Sequence, residues 1–167
     1  MEEDKLEVSR RMFKHACAFL DCASCCQKEP NNIEYRMQSH TVAGIVNSAF
    51  ACEVFIKSLL VYHGESFEKL NGHELKKHWS KYKKKDREKA LLLEQGMRQS
   101  FDSDNEKMFD ELLEVCSNAF KHWRYIYEAN EGKVHILFLR NFALILRSLC
   151  CEEFYKSSWE EFKANRY

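Results

Sequence analysis

The chain has 167 residues, of which 45% are hydrophobic and 31% are charged, a balance typical of a globular domain rather than a disordered segment. Its 26 basic and 26 acidic residues give a formal net charge of zero, which excludes a uniformly basic nucleic-acid-binding protein. Five glycines and one proline supply little turn chemistry for hairpins, so the composition favours long helices.

Apolar periodicity predicts a first helix over residues 4–27, and the Glu-Pro-Asn-Asn sequence at residues 29–32 ends it. Residues 33–40 are predicted to form a partly helical connector. Residues 41–63 follow as 23 residues with only two charges, Glu53 and Lys57, before Gly64 at a position typical of a helix C-cap.

The stretch 41–63 is long enough to cross a membrane, which takes about 20 apolar residues. Glu53 and Lys57 lie near its middle, however, where each charge costs roughly 2.5–3.5 kcal/mol on insertion. We therefore expect the buried central helix of an all-α domain, with the two charges paired at i, i+4. The mostly charged first ten residues contain no signal-peptide pattern, so we expect a cytoplasmic protein that does not associate with a membrane.

Later elements are predicted from the same periodicity and from the turn residues between them. They are a short basic helix at 74–82, a helix at 86–98, a loop at 100–105, a long amphipathic helix at 106–128, a turn at 130–132 and a closing helix at 134–163. No repeat or interdomain linker is visible. The prediction is one domain over residues 1–167, folded as a four- to six-helix up-and-down bundle.

Eight cysteines invite a metal or disulfide interpretation, and Cys22, Cys25 and Cys26 include one C-x-x-C. A structural zinc site needs four ligands, and no second C-x-x-C or H-x-x-x-H follows. In a reducing cytosol the cysteines are expected to be small apolar packing residues, with redox chemistry as the alternative. We predict no metal and no cofactor.

Charge is unevenly distributed along the second half of the chain. Residues 73–89 hold eight Lys or Arg against three acids, whereas residues 102–114 hold six acids against one Lys. Basic side chains interleaved with an aromatic ring can hold phosphates and stack bases, which makes Lys76, Lys77, Trp79 and Lys81 candidate nucleic-acid ligands. The alternative is two solvated helix faces that attract each other.

Three short blocks in order carry a family resemblance. They are ACEVFIKSLL at residues 51–60, GHEL at residues 72–75 and SNAFKHWRYIYE at residues 117–128. Together they resemble the HEPN superfamily, the higher eukaryote and prokaryote nucleotide-binding domains, and in particular its small stand-alone bacterial members.

The resemblance implies a helical bundle that forms a homodimer. It also implies a setting in toxin–antitoxin, abortive-infection or phage-defence systems, where many members are metal-independent ribonucleases. Their motif is an arginine followed after four to six residues by a histidine, which exchanges protons while the arginine steadies the phosphate. Here Arg124 has no histidine at that spacing, since His135 comes too late, and the one literal match is Arg10 to His15 in the first helix.

The sequence therefore predicts a non-catalytic or degenerate HEPN domain that binds RNA, a nucleotide or a cognate partner protein. The alternative is an endoribonuclease with a non-standard site at Asn118, His122 and Arg124. A third possibility is an antitoxin-like or scaffold partner without any RNA binding.

Individual residues carry three further predictions. Glu53 is expected to reach Arg124 on the neighbouring helix, because a buried carboxylate needs a partner. His73 is expected to cap or begin the helix that follows it. Asn118, His122 and Tyr125, spaced i, i+4 and i+7, are candidate ligand or dimer contacts.

Overall fold

The structure, a computed structural model, describes residues 4–28, 34–128 and 132–165. The helices in these ranges are α1 (Lys5–Lys28), α2 (Glu34–Tyr62), α3 (Leu75–Lys85), α4 (Arg87–Ser100), α5 (Met108–Cys116), α6 (Ala119–Arg124), α7 (Ile136–Tyr155) and α8 (Trp159–Ala164). Single 3₁₀ turns lie at Phe67–Lys69 and Ile126–Glu128, and none of the described residues is in a strand. The predicted all-α helical bundle is confirmed.

Helix α2 is the central helix, as predicted, and packs against α1, α3, α6 and α7. One stretch of it, His40–Tyr62, is long and apolar enough to cross a membrane, but 72% of its most apolar part is buried against other helices, as in the core helix of a bundle. The predicted end is also confirmed. Gly64 has φ of +85°, and its N–H and that of Glu65 donate to the carbonyls of Val61 and Leu60, which closes a Schellman cap.

The prediction of a partly helical connector at 33–40 is wrong over residues 34–40, because α2 already begins at Glu34. Nothing between residues 34 and 40 ends a helix, since the segment contains no glycine or proline. The predicted break at residues 29–32 lies outside the described residues, and so do two of the three residues of the turn predicted at 130–132.

The predicted helix at 106–128 is interrupted at Ser117 and Asn118, the two residues between the end of α5 and the start of α6. The Ser117 carbonyl accepts a hydrogen bond from the Leu75 N–H at 2.9 Å, and its Oγ accepts one from the Lys76 N–H at 3.1 Å. These N–H groups open α3 and have no partner inside that helix. The interruption in one helix therefore caps another.

The predicted closing helix at 134–163 is likewise interrupted. Lys156 adopts a left-handed conformation with φ of 54°, which ends α7. Ser158 then begins α8 with a capping box, in which its Oγ accepts from the Glu161 N–H and the Glu161 carboxylate accepts from the Ser158 N–H. The break lets α8 fold back so that Phe162 packs edge-on against Phe13 of α1, at 5.6 Å between ring centroids.

The eight cysteines fall into three groups by burial, and Cys17 and Cys26 make up the half-buried group. Cys52, Cys116, Cys150 and Cys151 are buried packing residues, as predicted, and burial raises the pKa of the Cys116 thiol to about 11. Cys22 and Cys25 are exposed on α1, so the packing interpretation is wrong for them. None of the described His, Cys, Asp and Glu side chains form a group of three suited to a metal ion.

Candidate functional site

The three sequence blocks meet in space. Glu53 and Lys57 come from α2, His73 from the loop before α3, and Phe120 and Arg124 from α6. We call these five residues the junction. Each block contributes to it because α2 packs against both α3 and α6.

The Glu53 carboxylate holds the junction together from inside. Its side chain is 2% exposed, and it accepts hydrogen bonds from Lys57 Nζ at 2.7 Å and from His73 Nδ1 at 3.0 Å. A buried carboxylate is tolerated only when it is paired and hydrogen-bonded, and these two donors meet that need. The predicted Glu53–Lys57 ion pair is confirmed.

Two predictions about this cluster are wrong. Arg124 is not the partner of Glu53, since its guanidinium lies 4.6 Å from the Tyr125 ring centre and donates to the Tyr125 hydroxyl at 2.7 Å. The interruption at Ser117 gives α6 a register of its own and leaves Arg124 on the surface. His73 is not the cap of α3, which begins at Leu75 after Glu74; it is the second partner of Glu53 instead.

The loop that carries His73 is fixed through the backbone of Gly72. The Gly72 carbonyl accepts from Lys57 Nζ at 2.9 Å and is 3.0 Å from His78 Nε2, and its φ of +91° is a conformation that favours glycine. His78 is fully buried, and this burial lowers its pKa below the ordinary value. Two helices thus hold one carbonyl in place, and His73 follows directly from it.

Phe120 forms the aromatic centre of the junction. Its ring stacks on that of Phe50 at 4.6 Å, and the His73 ring lies 4.9 Å from it. The Arg124 guanidinium lies 5.1 Å from the same ring, within the range of a cation–π contact. The histidine and the arginine therefore share one aromatic neighbour.

Beyond the junction, the end of α6 and the turn after it present an exposed aromatic surface. Tyr125 is 39% exposed and Tyr127 is 77% exposed, with ring centroids 6.3 Å apart. Arg124 is exposed beside them. We call Arg124, Tyr125 and Tyr127 the tyrosine–arginine surface.

The predicted trio Asn118, His122 and Tyr125 is separated by the fold. Asn118 and His122 line an open cleft of about 270 Å³, whereas Tyr125 and Arg124 are not among its lining residues. The remaining lining residues are Glu114, Val115, Ala119, Gly132 and Lys133. The chain passes close to His122 at Gly132, where a Cβ would lie 3.1 Å from His122 Nε2.

The basic helix α3 is not a base-stacking platform. Trp79 is 2% exposed, and its indole Nε1 donates to the Glu94 carboxylate at 2.9 Å, so the prediction of a nucleic-acid ligand is wrong for it. The physical reason is that Leu75, Trp79 and Tyr82 share the face of α3 that packs into the core.

The three predicted lysines of α3 are engaged differently. Lys76 donates to the Glu114 carboxylate of the acidic segment, and this hydrogen bond raises its pKa. Lys81 Nζ donates to the Lys69 carbonyl, while Lys77 is exposed. The Lys76–Glu114 contact supports the interpretation of two solvated faces that attract each other.

The literal match to the family motif has a structural role on its arginine side. The Arg10 guanidinium donates twice to the Phe154 carbonyl, at 2.7 and 3.1 Å, and lies 4.9 Å from the Tyr155 ring centre. His15 is exposed on α1. Arg10 therefore ties α1 to the end of α7.

No protein-family model, no curated protein and no solved structure matches this chain. The functional argument therefore comes from the side chains themselves. Sequence reasoning missed the pairing of His73 with Glu53, because the two residues are 20 positions apart and no local pattern joins them. It also missed Phe120, whose role depends on contacts between distant segments.

Proposed function

We propose that this chain is a non-catalytic HEPN-like module that binds single-stranded RNA or a nucleotide at the tyrosine–arginine surface. Its proposed setting is a toxin–antitoxin or phage-defence system. The resemblance to HEPN domains is supported by the convergence of the three blocks at the junction, because blocks without a common role need not meet.

The exposed side chains of the tyrosine–arginine surface carry the proposal. Tyr127 is 77% exposed, so its ring contributes little to the packing of the core and is available to a ligand. Exposed aromatic rings beside an arginine are the means by which single-stranded nucleic acids are held, through base stacking and phosphate contact. Helix α6, which supplies Arg124, also carries Lys121 and contains no acidic residue.

The non-catalytic form is preferred because the alternative constellation is not assembled in one place. A metal-independent ribonuclease needs a histidine and a phosphate-binding cation that reach the same phosphate. His122 and Asn118 line the cleft, whereas Arg124 lies against Phe120 and Tyr125 outside it.

Binding is tested by fluorescence anisotropy with a labelled single-stranded oligoribonucleotide. Loss of one stacked base costs about 1–3 kcal/mol, so Tyr127→Ala is expected to weaken binding roughly 5- to 150-fold. Arg124→Ala is expected to weaken it as well. Matched controls are Phe67→Ala, an aromatic residue that is 56% exposed elsewhere, and Arg140→Ala on the exposed side of α7. Equal affinity of all four variants and the parent would refute the proposed surface.

The catalytic alternative is tested on total RNA in the presence of EDTA. We expect no cleavage by the purified protein. Cleavage that is abolished by His122→Ala would favour the alternative over the non-catalytic form.

A partner protein or a second copy of the chain is the second candidate ligand. Tyrosine and arginine are also enriched at protein interfaces, and Ile136 and Leu137 at the start of α7 are 41% and 50% exposed. Sedimentation equilibrium on the parent and on a Leu137→Glu variant tests the homodimer. A monomer at all concentrations would exclude it.

A further inference from the structure

We propose that His73 and Arg124 together bind a phosphate group, and that this binding takes up one proton on His73. The inference rests on the proposed function in one respect, because the phosphate would belong to the bound nucleotide or RNA. It adds a ligand group, a second binding residue and a chemical control of affinity.

The first step is the position of the hydrogen on His73. An ionised carboxylate only accepts hydrogen bonds, and Glu53 already accepts one from Lys57 Nζ at 2.7 Å. His73 Nδ1 lies 3.0 and 3.1 Å from the two Glu53 oxygens, so Nδ1 must be the donor. In a neutral imidazole the other nitrogen, Nε2, is then an acceptor.

The second step is the orientation of the ring. Glu53 is 2% exposed and cannot turn away, whereas the His73 side chain is 43% exposed. With Nδ1 held on the buried side, Nε2 occupies the opposite edge of the ring. A carboxylate that accepts from one ring nitrogen in this way fixes the tautomer and the orientation of the ring.

The third step is the nearby cation. The His73 ring centre lies 4.9 Å from that of Phe120, and the Arg124 guanidinium carbon lies 5.1 Å from it, so the two groups are at most about 10 Å apart. Both groups therefore lie against the same ring, and a phosphate group, which accepts hydrogen bonds from several directions, is the ligand that we infer to contact both. Arginine binds phosphate oxygens through its fork of donors, and an imidazolium N–H adds a charge-assisted hydrogen bond.

The proton follows from hydrogen-bond chemistry. Phosphate oxygens and a neutral Nε2 are both acceptors, so they cannot bond until Nε2 gains a hydrogen. The charged or titratable groups around this nitrogen are Glu53 and Lys57 from α2, Arg124 from α6, and His78 from α3 behind the Gly72 carbonyl.

The experiment is isothermal titration calorimetry of the full chain with two probes, inorganic pyrophosphate and a single-stranded oligoribonucleotide. Each titration is run in buffers that differ in ionisation enthalpy. Uptake of one proton makes the observed enthalpy depend on the buffer and makes the affinity fall roughly tenfold per pH unit where free His73 is neutral. The His73→Gln variant should lose both effects, whereas His15→Gln on the exposed side of α1 should retain them.

A spectroscopic readout distinguishes binding at His73 from a change of fold. The ¹⁵N resonance of His73 Nε2 should move on pyrophosphate binding from the range of an unprotonated to that of a protonated ring nitrogen. An unmoved resonance at saturation would overturn the proposal.

The outcomes separate the two proposals. RNA binding without proton uptake, or with equal affinity in His73→Gln, overturns this inference and leaves the proposed function standing. Proton-linked binding of pyrophosphate without any binding of RNA or nucleotide supports the phosphate site and overturns the proposed function. Failure of both probes to bind overturns this inference and the proposed binding of RNA.

Discussion

The Glu53 carboxylate offers the sharpest test of how the junction is held, through the variant Glu53→Gln. The substitution keeps the shape of the side chain and removes its charge. Removing one partner of a fully buried ion pair costs about 3–5 kcal/mol, because the remaining charge is left without compensation.

The partners of Glu53 reduce that cost. The Lys57 side chain is 16% exposed and retains the Gly72 carbonyl as acceptor, and the His73 side chain is 43% exposed, so both can recruit water. The glutamine oxygen can still accept one hydrogen bond. We therefore expect Glu53→Gln to lower the free energy of unfolding by about 2–3 kcal/mol.

The assay is urea denaturation followed by far-UV circular dichroism, with thermal unfolding as a second measure. For a chain of this size the expected loss corresponds to a decrease in Tm of roughly 5–10 °C. The matched control is Glu114→Gln, whose carboxylate pairs with Lys76 at a well-exposed position and should not change stability measurably. A loss below about 0.5 kcal/mol in Glu53→Gln would refute the view that the buried carboxylate holds the junction together.

Three further predictions concern other parts of the bundle. Burial lowers the pKa of His63 and His78 below 6.5, so the unfolded chain binds protons more readily than the folded chain. The free energy of unfolding should therefore be highest above about pH 6.5 and fall as the pH drops through the folded pKa values. Urea denaturation measures this dependence, which should be weaker in the variant with both histidines replaced by Gln. A profile that rises on acidification would contradict this sign. Lys156→Gly should raise the free energy of unfolding by about 1 kcal/mol, because glycine adopts φ of 54° without steric cost, and a less stable variant would oppose the assignment. In thiol labelling of the native protein, Cys22 and Cys25 should react first and the buried thiols only after denaturation, whereas uniform reactivity would contradict the burial pattern.

Features set by local sequence could be predicted. The apolar run around Glu53 and Lys57 identified the central helix, because a buried helix needs apolar residues along its whole length. Gly64 identified the end of that helix, because a left-handed C-cap favours glycine. The capping box from Ser158 to Glu161 is an equally local sequence signal for a helix start. Apolar residues continue on both sides of it, so the periodicity alone predicted one uninterrupted helix.

Features set by contacts between distant segments could not be predicted. The interruption at Ser117 exists because its carbonyl and hydroxyl cap α3, about forty residues away. Glu53 pairs with His73 rather than Arg124 because the loop at Gly72 brings the imidazole to the carboxylate. The sequence of α2 alone does not indicate where that loop lies. The burial of Trp79 was in principle visible from its i, i+4 relation to Leu75, but the surrounding lysines suggested a ligand surface instead.

The contact between Arg10 and the Phe154 carbonyl joins groups 144 positions apart. Phe13, one turn further along α1, is fully buried and owes part of its cover to Phe154, Tyr155, Trp159 and Phe162. These partners lie near the end of α7 and in α8, so during synthesis Phe13 lacks them until nearly all of the described chain has been made. A nascent chain stalled before Phe154 should accordingly be the species that chaperones bind and that aggregates.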